Sequence, residues 1–174
     1  MSDFVHKTLH LVILLVATLL VGCQPKPQRA KHLTEKQPID SLLMLQLQFN
    51  THMADAADRE CIAFVQSDSL NYTIDAYGFW YCKTTKYQME TVETGQKITL
   101  HIQINELNGP LLSDVKYEHI VGSGELPLAL SRSIKMMATR EQMRIVAPWY
   151  TAYGIEGTDI IKPYTNLLIN IRIE

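Results

Sequence analysis

Covalent chemistry requires a nucleophile, an acid–base pair or metal ligands at fixed spacing, and this 174-residue sequence offers one such site. Leu20-Val21-Gly22-Cys23 closes an uncharged run of 11 residues, Leu11 to Val21, apolar but for Thr18 and preceded by Lys7. The run is too short to cross a hydrocarbon core ~30 Å thick, which takes about 20 helical residues. It suits the apolar region of a secretory signal. A branched residue, a small residue and then Cys match the bacterial lipobox, in which the cysteine becomes the first residue of the mature chain and carries the lipid. Each buried methylene adds ~0.8 kcal/mol, so Cys23 is expected to anchor an exported protein to a membrane without spanning it.

Other candidate chemistry fails on spacing. Outside the signal, His32, His52, His101 and His119 do not stand at metal-ligand intervals, and no metal or cofactor is expected. His101 and His119 fall in strands, where a surface or hydrogen-bonded role is the expectation. Gly122-Ser123-Gly124 lacks the G-x-S-x-G pattern of a nucleophile elbow, and no glycine-rich phosphate loop occurs. Asp55, Asp58 and Glu60 read as a solvated helix face. Any enzyme here must work by shape and desolvation.

Composition bounds the rest. Lys and Arg number 16 against 18 Asp and Glu, a net charge of −2. Removing residues 1–22 deletes one acid (Asp3) and one base (Lys7), so the mature charge is unchanged. Neither value is the footprint of a nucleic-acid binder. Apolar residues make up 47% and charged residues 20%, which excludes collagen-like and wholly disordered chains. Three cysteines are too few for a disulfide framework; Cys61 and Cys82 could pair after export or remain as buried thiols.

The elements follow from periodicity. Residues 23–38 carry Pro25, Pro27, Pro38 and four bases without apolar repeats, which describes the lipidated Cys and an extended tether. From 39 to 72 the pattern is helical. Asp40 or Ser41 can cap it, Leu42, Leu45, Phe49 and Met53 recur at helical spacing, and a second run groups Cys61, Ile62 and Val65. A break near Asp55 is expected, and the stripe is a packing surface for the domain or a partner. From 73 to 174 strands dominate: Phe79 to Cys82, Lys97 to Asn105 with Ile98, Leu100, Ile102 and Ile104 on one face, Met143 to Ala147, and Asn166 to Ile173. Asn108-Gly109 is a turn. One short helix, Leu128 to Met137, puts Leu130, Ile134 and Met137 on one face. The expected fold class is α+β, an antiparallel sheet around one short helix with an N-terminal helical extension.

With these elements in place, the stretch from about Gly78 to Glu174 resembles the FK506-binding-protein (FKBP) family of peptidyl-prolyl isomerases. The resemblance rests on Gly95-Gln96, Leu107-Asn108-Gly109, Gly122 with Glu125-Leu126, Pro148, Ala152-Tyr153-Gly154, Gly157, Ile160-Ile161, Pro163 and the closing strand. The lipobox, the helical extension, Gly78-Phe79-Trp80-Tyr81 and the end of the short helix look like the gliding-motility-associated lipoproteins of that family (the GldI group) in particular. Such enzymes need no acid, base or nucleophile. Twisting a prolyl amide costs ~18–20 kcal/mol of lost resonance, and a dry apolar cup favours the less polar twisted amide over the planar one.

Carried over position by position, the resemblance implies Tyr153, Ile161 and Leu126 as catalytic residues. It implies Ile102, Leu112, Tyr117, Leu130 and Ile169 as substrate-binding ones. Ile102, Leu112 and Ile169 stand where the family has aromatics, Ser113 where it has Asp, and Pro127 where a backbone N–H meets the substrate. The apolar positions would also serve as core in any α+β domain. The function implied is a lipid-anchored isomerase that assists folding of envelope or periplasmic proteins. The alternative is a weak or inactive FKBP-like binding, chaperone or assembly lipoprotein. Partners expected are proline-containing polypeptides, the membrane through Cys23, and a second copy or an envelope-complex partner docked on residues 40–66. The expected location is the outer membrane of a Gram-negative bacterium, facing the periplasm.

Overall fold

The computed structural model describes residues 41–85 and 90–174. The signal segment 1–22, Cys23, the tether to residue 38 and the Asp40 cap lie outside the described residues. Six strands form one antiparallel sheet: β1 (Thr73–Ile74), β2 (Trp80–Thr85), β3 (Lys97–Glu106), β4 (Leu111–Ile120), β5 (Gln142–Ala147) and β6 (Leu167–Ile173). Their order across the sheet is β1-β2-β5-β6-β3-β4. Helix α1 (Ser41–Ser67) precedes the sheet and α2 (Leu128–Lys135) lies between β4 and β5.

Alternation decides which face is buried. Ile98, Leu100, Ile102 and Ile104 of β3 and Leu167, Ile169, Ile171 and Ile173 of β6 all turn to the core. Between them the register pairs Ile102 with Ile171 and Ile104 with Ile169, so β-branched side chains stack across the strands, where their restricted rotamers fit the pleat. Against this wall α2 lays Leu130 and Ile134, and Met137 follows just past the helix end. Phe79 completes the same core. The result is the α+β architecture expected from the sequence.

Helix α1 departs from expectation in one respect: it runs unbroken through Asp55. No Gly or Pro interrupts 41–67, and four alanines offset the few tenths of a kcal/mol that each mid-helix Asp costs. Its packing face also differs from the expected grouping. Ala57, Cys61, Phe64 and Val65 turn toward the domain, while Ile62, rotated 100° from Cys61, is 41% exposed. Cys61 packs with Leu107 and Val146, beside Trp80 and Leu168, on the outer face of the sheet. The two described cysteines, Cys61 and Cys82, are free thiols. Of the stripe on the first turns, Leu42 and Leu45 are exposed, Phe49 meets the Tyr164 ring edge-on at 5.6 Å, and Met53 is half-buried.

Candidate functional site

Between the inward side chains of β3 and β4 and helix α2 a space is left unfilled. Register pairs Leu100 with Tyr117, Ile102 with Val115 and Ile104 with Ser113. The resulting cavity of about 400 Å³ has Ile102, Ile104 and Val115 along one side, Leu130 of α2 beneath, and Leu126 on the approach to the helix. Tyr117, Ser113, Tyr153 and the segment Thr158 to Ile161 complete it.

Two loops hold the remaining wall. After β5, Pro148 opens a tight turn, Trp149–Thr151, with Thr151 Oγ1 donating to the Pro148 carbonyl at 3.0 Å. Gly154 then takes φ +71, a left-handed conformation that costs glycine nothing and other residues a side-chain clash, and Tyr153 is delivered over the cavity. Farther on, Gly157 at φ +66 lies so close to the returning chain that a Cβ would sit 2.2 Å from the Ile161 carbonyl oxygen. That approach folds Ile161 inward, where it is buried.

The loop is braced from behind by α1. Trp149 Nε1 donates to the Met53 carbonyl (3.3 Å), Tyr164 Oη to Asn50 Oδ1 (2.8 Å), and Asn166 Nδ2 to Glu60 Oε2 (2.7 Å). Tyr150 Oη donates to Asp58. Asn166 is itself buried, and its Oδ1 accepts the Trp149 backbone N–H at 3.0 Å.

Electrostatically the cavity is quiet. Burial, and then the neighbouring Tyr117, push the Tyr153 phenol above its ordinary value. Burial, and then Glu125, do the same to Tyr117. Both therefore stay neutral O–H donors through the physiological range, and neither oxygen is hydrogen-bonded to a described residue. Among the described residues no cluster of three His, Cys, Asp or Glu could hold a metal. Such a site can bind an apolar ring, exclude water and donate hydrogen bonds, but it has no proton-transfer pair.

Of the residues inferred from the sequence, Tyr153, Ile161, Leu126, Ile102, Tyr117 and Leu130 come together around this cavity. Leu112 and Ile169 are not among its lining residues: Leu112 is half-buried against the core, and Ile169 lies wholly within it. Ser113, which stands where the family has Asp, and Ile160, part of the resembling segment, line the cavity too, and Ile104, Val115, Thr158 and Asp159 add positions beyond those inferred from the sequence. Ile104 is within reach of the alternation in β3; Val115, on an irregular edge strand, and the turn residues Thr158 and Asp159 carry no such signal. Pro127 immediately precedes α2 with φ −53 and ψ 158, without a side-chain cap, so the backbone donors of the helix begin at Leu128. The outer face of the sheet bears a second concavity of about 420 Å³, lined by His101, Gln103, Arg144 and Arg172 among others. Its charges are largely answered locally, Arg144 by Asp68 and His101 by Asp114, which makes the apolar cup the better ligand site.

No protein-family model matches the sequence, and no curated protein matches it. Solved structures do share the fold. A peptidyl-prolyl cis-trans isomerase from Pseudomonas syringae pv. tomato superposes with a TM-score of 0.60 at 17% identity, over 71% of this chain and 92% of that one. FkpA from Escherichia coli gives 0.61 at 13% identity over 78% of this chain, and the match spans 64% of FkpA's own length. AtFKBP13 gives 0.55 at 20% identity over 59% of this chain and 96% of that one. The chain therefore has the FKBP-like fold.

Proposed function

We propose that this chain is an exported, lipid-anchored peptidyl-prolyl cis-trans isomerase of the FKBP type that assists folding of envelope proteins. We place it with the gliding-motility-associated lipoproteins of that family. The observation that carries the reaction class is the cup itself. In an FKBP-like fold, the Ala152-Tyr153-Gly154 loop, Ile161, Leu126 and the start of α2 enclose one apolar cavity with two free phenols at its wall.

In that cup a proline ring displaces water against Ile102, Leu130 and Ile161. The planar amide, with its large dipole, loses more hydration on entry than the twisted amide does. The barrier falls by that difference, an interaction stronger in the transition state than in the ground state. Tyr153 Oη is the donor for a carbonyl of the bound segment and holds the chain while the prolyl bond turns. No proton moves.

One observation favours the second reading, a binding or assembly lipoprotein of the same fold. Pro127 offers no N–H at the approach to α2, and Ile102 supplies only aliphatic surface. Export and attachment through Cys23 are supported by the lipobox and signal segment, and an orientation toward the periplasm by Gln24 after Cys23 with no acidic run there; the outer membrane is the location we propose with them. We further propose that α1 meets a second copy or an envelope partner through its first turns. There Leu42, Leu43, Met44, Leu45 and Leu47 are each 43–69% exposed, more apolar surface than a solvated helix end ordinarily carries.

The test is cis–trans exchange of an Ala-Leu-Pro-Phe peptide, followed by NMR lineshape with the full chain in mild detergent. Acceleration well above the uncatalysed rate, which takes tens of seconds or longer, is expected. A folded chain that binds the peptide without accelerating it would replace the isomerase reading with the binding one.

A further inference from the structure

The cavity is lined by neutral side chains except at one point. Asp159 is the single charged side chain among its lining residues. It sits at the second position of a turn closed on both sides: Thr158 N donates to the Ile161 carbonyl at 2.7 Å, and Thr158 Oγ1 accepts from Ile161 N at 3.0 Å and from Ile160 N at 3.3 Å. Gly157, pressed against the Ile161 carbonyl, fixes the turn from the other end. The carboxylate thus stands on a rigid support at the mouth of the cup.

Several acids are answered, while others, Glu90, Glu93, Glu106 and Glu156, face solvent away from the cavity like ordinary surface acids; Asp159 differs from these by lining the cup. Asp75 meets Arg132, Glu141 meets Lys83, Asp68 meets Arg144 and Asp114 meets His101. Asp159 is exposed and makes no hydrogen bond or ion pair with a described residue. A second acid, Glu125, adjoins Leu126 on the opposite side, bonded to Ser123 Oγ at 3.1 Å. Lys162, the nearest cation along the chain, follows Ile161 but does not line the cavity.

We propose that the cup selects proline-bearing segments in which a Lys or Arg adjoins the proline, and that Asp159 is the residue that selects them. The inference rests on reading the cup as the prolyl site. A ring seated against Leu130 and Ile161 carries its chain neighbours to the rim, where Asp159 stands on a hydrogen-bonded turn. Because the backbone of that turn is tied before binding, only the short Asp159 side chain has to be ordered on the encounter. The surroundings are half solvent, so the gain is modest, roughly five- to tenfold, and it fades with salt.

The experiment uses the full chain in detergent and four peptides, Ala-Lys-Pro-Phe, Ala-Glu-Pro-Phe, Ala-Ala-Pro-Lys and Ala-Ala-Pro-Glu. NMR titration reads binding, and exchange lineshapes read turnover. In at least one pair the Lys peptide should be favoured roughly five- to tenfold at about 20 mM salt, falling below twofold at about 1 M salt and in Asp159→Asn. Asp159→Lys should invert it. Ratios within twofold in both pairs, with Ala-Leu-Pro-Phe still turned over, would overturn the selectivity and leave the isomerase standing. So would a preference for Glu, or one that survives in Asp159→Asn. A Lys preference in binding without turnover of any peptide keeps the selectivity and removes the isomerase. No binding of any peptide by the folded chain overturns both.

Discussion

Tyr153 concentrates what single residues contribute. Its loop position was legible because Gly154 and Gly157 flank it, and its chemistry follows from burial that keeps the phenol protonated. Tyr153→Phe removes one donor and little volume. A lost hydrogen bond of this kind is worth about 0.5–1.5 kcal/mol, so kcat/KM on Ala-Leu-Pro-Phe should fall roughly two- to tenfold with stability nearly unchanged. The wild-type rate should be flat from pH 6 to 9, because both phenols have raised values and lose their protons only above that window. A rate that declines between pH 8 and 9 would show a phenol ionising where burial should forbid it. The two described cysteines differ by the same physics. Burial, reinforced by Glu60 and Asp58, pushes the Cys61 thiol up to about 12. At pH 8 in the folded chain, peptide-mapped alkylation should label Cys82, which is half-buried, and spare Cys61 until urea opens the domain. Asp159 was illegible for the opposite reason. One exposed acid in a loop looks like any other until the turn that fixes it is seen.

At the scale of elements, alternation carried most of the information. β3 and β6 alternate because one face meets the core, and their bounds lie within a residue of the expected ones. β4 was hard to place because it is an edge strand: Leu111, Val115 and Ile120 are exposed, and its pattern breaks where it forms the cup. Phe79 and Trp80 explain why β2 opens on consecutive aromatics. Phe79 enters the main core and Trp80 packs outward beneath α1, so both faces of the sheet are covered there. The role of α1 was only half visible. Its middle stretch, Asn50 to Glu60, hydrogen-bonds to the segment Trp149–Asn166 that carries Tyr153 and Ile161, a relation no local pattern encodes. Asn166 is the tie between them. Asn166→Ala leaves the buried Trp149 N–H without its acceptor and should cost about 1–3 kcal/mol in urea unfolding. Hydrogen exchange should quicken across 149–164 and not in β3. Equal quickening everywhere would mean that the tie supports the fold alone and not the loop.

For the whole molecule, the larger of the two hydrophobic clusters among the described residues runs from Phe79 through α2 to Ile173. Phe79→Ala should therefore cost about 3–5 kcal/mol, measured as a shift of the urea midpoint, and it should weaken peptide binding only in proportion to the unfolded fraction. A selective loss of binding at full folding would place Phe79 in the site after all.

The strand order has a consequence in time. β6 lies between β5 and β3, bonded along its length to both, yet it is the latest of the described strands along the chain. Without it the sheet is two separate ribbons, β1-β2-β5 and β3-β4, and neither can close around α2. Such distant pairing makes folding slow, and an emerging polypeptide cannot commit to this structure until residues 167–173 have arrived. Under the export proposed above, that delay keeps the chain threadable through a membrane pore, because the pairing that would jam the passage forms only when β6 is present.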